Sequence, residues 1–128
     1  NNTITGSGER IAGLVGSLFN STLQATTGGP SSLTYASGTV NSTGGANYLG
    51  GLAGTLETGN ITNAYNAATV NASNRNYVGG IAGYNSGIIS NTFNQAAVTG
   101  SSHVGGIVGI NDGTLTNVWT TGTSAVTG

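Results

Sequence analysis

Cysteine, methionine and lysine are all absent from the 128 residues. Without cysteine no disulfide staples the fold and no thiolate binds metal, a lack compatible with an oxidising exterior. Proline and histidine occur once each. Formal charge is confined to five residues, Glu9, Arg10, Glu57, Arg75 and Asp112, whereas ordinary globular chains are about one-quarter charged. The near-zero net charge leaves no basic patch to neutralise a nucleic-acid backbone and nothing to draw the chain to an anionic membrane. No apolar run reaches the roughly 20 residues of a spanning helix. Neither nucleic acid nor membrane insertion is therefore expected. The opening "NNTITGSGER" has no basic start and no apolar middle, so it does not read as a signal peptide. Disorder is disfavoured too, because disordered chains are usually charged and poor in β-branched residues, and this one is neutral and full of Val, Ile and Thr.

Glycine, in contrast, occurs 24 times, largely inside a recurring phrase. "YLGGLAG" stands at 48–54, "YVGGIAG" at 77–83 and "HVGGIVG" at 103–109, with a weaker "RIAGLVG" at 10–16. The last glycines of these phrases are 38, 29 and 26 residues apart. A second phrase follows each clear copy: "NITNAYN" at 60–66, "IISNTFN" at 88–94 and "TLTNVWT" at 114–120. A third closes each unit, "ATV" at 68–70, "AAV" at 96–98 and "SAV" at 124–126, with "GTV" at 38–40 in the weak first unit. Glycine turns at Thr58-Gly59, Ser86-Gly87 and Asp112-Gly113 separate the first and second phrases, where a positive φ carries no steric penalty for glycine. Helix is disfavoured by the glycine content and by the lack of an apolar 3.6-residue stripe.

One such unit cannot bury an apolar face alone, but stacked units can. The sequence predicts one all-β domain, a parallel β-solenoid of about four coils with three short strands per coil. The units are 10–47, 48–76, 77–102 and 103–128, with 1–9 a partial unit and 20–32 an insertion in the first. That insertion, "NSTLQATTGGPSS", holds the only proline; it either covers one open end or forms a loop on the side. Period-two alternation puts Ile61, Asn63 and Tyr65 on one face of a strand. Like residues then stack in columns. The expected columns are Tyr35-Tyr65-Phe93-Trp119, Asn63-Asn91-Asn117, Leu14-Leu52-Ile81-Ile107 and Ile4-Val40-Val70-Val98-Val126. The aromatic column is expected to face inward, where Phe93→Ala would cost about 3–5 kcal/mol.

The chemistry-bearing residues are sparse. A nucleotide loop needs G-x-G-x-x-G between a strand and a helix; here the spacing is G-G-x-x-G, recurs once per coil and precedes no helix. Gly51, Gly80 and Gly106 therefore read as structural, letting the sheet bend or a neighbour pack close. His103 lacks partners for a metal site, which takes three or four ligands, and falls in the column Arg10-Tyr48-Tyr77-His103. The carboxylates lie in different units, so no facing pair of the kind a hydrolase uses is expected. No catalytic residue, cofactor site or metal site is expected. Sequons begin at Asn1, Asn20, Asn41, Asn60 and Asn71, a number that composition alone accounts for.

The V/L-G-G-L/I-A/V-G core followed by a turn and an "N-x-aromatic" strand resembles the GLUG motif. That motif is repeated in large bacterial surface and secreted proteins, including filamentous-haemagglutinin-like adhesins. The resemblance runs over about 10–128. It implies an extracellular or cell-surface β-solenoid with a structural or adhesive role and supplies no catalytic residues. Host or matrix glycans and like chains are the partners it leaves in view. Two alternatives stand beside it. The first is a head-to-tail filament subunit, since the chain opens ("TITGSG") and closes ("AVTG") at the same point of the repeat. The second is ice binding through an outward column of Thr62, Ser90 and Thr116.

Overall fold

In a computed structural model, described for residues 2–24, 33–44, 47–72, 77–121 and 124–128, every strand pairs in parallel and no helix occurs among the described residues. The chain is a β-solenoid. Each coil passes through three faces. The first is a sheet of β2 (Arg10–Ala12), β6 (Tyr48–Gly50), β9 (Tyr77–Gly79) and β13 (Val104–Gly105). The second holds β3 (Val15–Leu18), β7 (Ala53–Leu56), β10 (Ala82–Asn85) and β14 (Val108–Asn111). The third begins with β1 (Asn2–Gly6) and continues through β5 (Thr34–Ser42), β8 (Gly59–Asn71), β11 (Ile88–Asn94) and β15 (Thr114–Thr120). β4 (Ser21–Gln24), β12 (Val98–Thr99) and β16 (Val126–Thr127) belong to this third sheet as well.

Two assignments differ from the sequence reading. The glycine phrase is not one strand but two joined at a corner, with its second glycine and the following residue between the first and second faces. The second and third phrases share one sheet and in the second coil form one strand, β8. The insertion also starts later than expected. Ser21–Gln24 pairs in register with Gly59–Thr62, and Thr34 resumes opposite Ala64. Residues 25–33 thus stand where the other coils have a single asparagine, Asn63 in the second. The choice between end cap and side loop falls on 25–32, outside the described residues.

Register makes the core. Ile4 pairs with Val40, Val40 with Val70, Val70 with Val98 and Val98 with Val126, one column through five rungs. Leu49, Leu52, Ile61, Ile81 and Ile89 are completely buried between the faces. At about 25 cal/mol per Å² of apolar surface removed from water, this interior is the main stabilising term. Leu14 and Ile107 share the register of Leu52 and Ile81 but lie nearer the two ends: Leu14 is exposed and Ile107 only partly buried.

The aromatic column is stacked but does not face inward. Tyr35, Tyr65, Phe93 and Trp119 are in register, with ring centroids 4.9, 5.0 and 5.1 Å apart. Tyr35 is 52% exposed and Trp119 44%, while Tyr65 and Phe93 are half-buried. The cause is Asn63, Asn91 and Asn117, whose φ values are 52°, 49° and 51°. A left-handed residue resets the alternation of side chains along a strand. Ile61 therefore points inward, Asn63 and Tyr65 do not, and Ala64 and Asn66 take the interior positions.

Candidate interaction surfaces

The glycine pairs lie against the interior. A Cβ on Gly51 would collide with the Gly80 carbonyl and the Asn66 amide; on Gly80, with the Gly106 carbonyl and the Asn94 amide. On Gly106 it would meet the Thr120 methyl at 2.7 Å. Gly51 and Gly80 are required by close approach of the next coil, whereas the contact at Gly106 is within its own coil. Positive φ is the requirement only at Gly59 among the three turn glycines, with φ 111°. At Gly87 and Gly113 an added Cβ would instead crowd the carbonyl of the preceding coil, at 2.5 Å from Gly59 in the first case.

Beside the glycine pairs run buried amides that the sequence reading missed. Asn66 Nδ2 donates to Asn94 Oδ1 at 2.9 Å and to the Ala68 carbonyl at 2.8 Å, and Asn66 Oδ1 accepts from the Ala68 N–H at 2.9 Å. Asn94 repeats the pattern on Ala96 and donates to Ser124 Oγ at 3.1 Å. Asn85 Nδ2 donates to Asn111 Oδ1 at 2.7 Å. No buried side-chain polar atom lacks a partner among the described residues, as a low-dielectric interior demands. Their signal was a second asparagine at constant phase, the last residue of "NAYN" and "NTFN".

Three outward surfaces remain. The first is the aromatic column with the asparagine ladder beside it, where Asn117 Nδ2 donates to Asn91 Oδ1 at 2.8 Å. The second is built on the first face and the adjoining strand β10. Tyr48 and Tyr77 stack at 5.1 Å, Tyr84 tilts against Tyr48 at 5.9 Å, and His103 tilts against Tyr77 at 5.0 Å. Next to them Arg10 pairs with Glu57 at 3.5 Å and Glu9 at 3.8 Å. These partners are well exposed, so solvent screening leaves the pairs weak. The third surface is polar: Ser90 Oγ donates to Thr62 Oγ1 at 3.0 Å, and Thr116 continues the column. A groove of about 220 Å³ lies beside β1, lined by Ile4, Leu14, Tyr35, Ala36 and Val40 among others. Among the described residues no three His, Cys, Asp or Glu side chains gather as a metal site, and no helix is long and apolar enough to cross a membrane.

No curated protein and no solved structure matches this chain. The coil built from β6, β7 and β8 coincides with a stretch that a family model recognises: residues 45–71 match the GLUG motif, a repeat of extracellular and surface proteins.

Proposed function

We propose that the chain is a non-catalytic structural and adhesive module of a bacterial surface or secreted protein, working outside the cell and joined end to end to like coils. The observation that carries this reading is the incomplete burial of the outermost coil. Ile107, Val108 and Leu115 are only partly buried. Their equivalents in the inner coils, Leu52 and Ile81, Ala53 and Ala82, Ile61 and Ile89, are fully buried. Trp119 and Val126 are 44% and 45% exposed. Another coil of the same kind, from the same chain or another copy, would cover all of these and continue every column. Open parallel edges pair with other strands unless blocked, and charge is too scarce here to block them. The Asn- and Thr-rich outer faces present hydrogen-bonding groups suited to glycans or to a matrix of like chains.

A head-to-tail filament subunit is a second reading of the same coil, because such contact is heterologous and does not close. Sedimentation velocity from micromolar to millimolar concentration tests the end-to-end part. The expected result is mass that grows with concentration and falls back to monomer in a Val108→Asp variant. A strict monomer at millimolar concentration rejects it.

A further inference from the structure

The third face carries a regular outward array over five rungs, of which the GLUG match covers only one, 69–71. It reads T-I-T at 3–5, T-V-N at 39–41 and 69–71, and A-V-T at 97–99 and 125–127. The five tripeptides are in register: Thr3 on Thr39 on Thr69, and Thr5 on Asn41 on Asn71 on Thr99 on Thr127. Each middle residue points inward into the Ile4–Val126 column, so each outer pair points to solvent. The outcome is a two-column lattice of methyl, hydroxyl and amide groups over five rungs. Its repeats are about 4.8 Å between rungs and about 6.7 Å along a strand. None of the described charged residues lies on these strands. The column of like residues beneath keeps the rungs superimposed, so the surface is ordered before any ligand arrives.

We propose that this face binds ice. Both repeats are close to those of the oxygen lattice in hexagonal ice. Methyl groups hold first-shell water in cages, and hydroxyl and amide groups anchor it; bridging waters of this kind are nearly as good as direct hydrogen bonds. A rigid array avoids most of the ordering cost of binding. The column expected for this role from the sequence, Thr62-Ser90-Thr116, has a poorer neighbour. There the second column runs Thr22-Asn60-Ile88-Thr114, and it includes an exposed isoleucine, Ile88.

The test is thermal hysteresis and ice-crystal shaping by the full chain, with partition of the protein into a slowly grown ice phase. The native chain is expected to shape crystals and enter the ice. A Thr69→Tyr/Asn71→Tyr double variant should lose hysteresis severalfold while keeping the native far-UV circular dichroism. Thr62→Tyr, on the neighbouring column, should change nothing. If the double variant fails to fold, Thr99→Tyr one coil away gives the same reading. Rejection of the native chain from ice at millimolar concentration overturns the proposal, as does loss of activity in Thr62→Tyr alone. Neither result depends on self-association.

Discussion

Asn63, Asn91 and Asn117 sit at φ values near 50°, a conformation in which most residues clash with the following carbonyl at a cost of about 1–2 kcal/mol. Asparagine tolerates it because a short polar side chain makes local hydrogen bonds there, and here the amides also bond between coils. Asn91→Gly should therefore be close to neutral, whereas Asn91→Val should lose about 1–2 kcal/mol in urea denaturation. Equal stability of the two variants would show that the amide ladder, not the backbone, is what matters. The same corner revises the worth of Phe93. Half-buried between Tyr65 and Trp119, it makes two stacked pairs, each worth about 0.5–1.5 kcal/mol beyond area. Phe93→Ala should thus lose about 1–3 kcal/mol of stacking together with the smaller area term of a half-buried ring, with the midpoint of urea unfolding as the readout. The membership of this column was legible because aromatics recur at one phase of the repeat. Its direction was not, because period two assumes an extended backbone and nothing local marks a left-handed asparagine except that it is asparagine.

At the scale of the coil, the corner between the first two faces is a contract between Gly-Gly and a buried amide. The second glycine must be small because Asn66 or Asn94 fills the space a Cβ would take. The asparagine in turn satisfies the N–H and carbonyl of a residue two positions on. Gly80→Val forces a side chain against backbone on one side and an amide on the other, and overpacking of this kind costs about 1–3 kcal/mol or more. Asn94→Ala takes away the acceptor of the Ala96 N–H, at about 1–3 kcal/mol, while the Ala96 carbonyl keeps the hydrogen bond donated by Ser124 Oγ at 3.1 Å. Both losses should appear in chemical unfolding with no ligand present; full stability of either variant would dissolve the link. The glycine columns were legible from spacing, since G-G-x-x-G once per coil fits no phosphate loop. The amide partner was hidden because Asn66 and Asn63 look alike in "NITNAYN", and only the backbone separates a buried asparagine from an exposed one. The start of the insertion was equally hidden: "STLQ" lacks the leading glycine of its counterparts "GNIT", "GIIS" and "GTLT", yet Ser21–Gln24 takes the same register.

For the molecule as a whole, stability is a sum of coils and the interfaces between them, because each coil touches mainly its neighbours. The inner coils have a neighbour on both sides, and the coil at 103–128 has one that the structure describes. Burial follows: Leu49, Ile61, Val78 and Ile89 are completely shielded, while Val104, Leu115 and Val118 are only partly so. Local opening needs only the contacts of the segment that opens. Amide hydrogen exchange should therefore be graded along the axis, slowest in β7, β8, β10 and β11 and faster in β13, β14 and β15, although strand length and turn chemistry are similar in the third and fourth coils. Exchange in β14 and β15 should then slow as protein concentration rises, because a docked coil would supply the missing interface, while the inner coils stay unchanged. Uniform protection along the axis would mean that the whole solenoid opens as one cooperative unit and that nearest-neighbour coupling is much stronger than a graded interior implies.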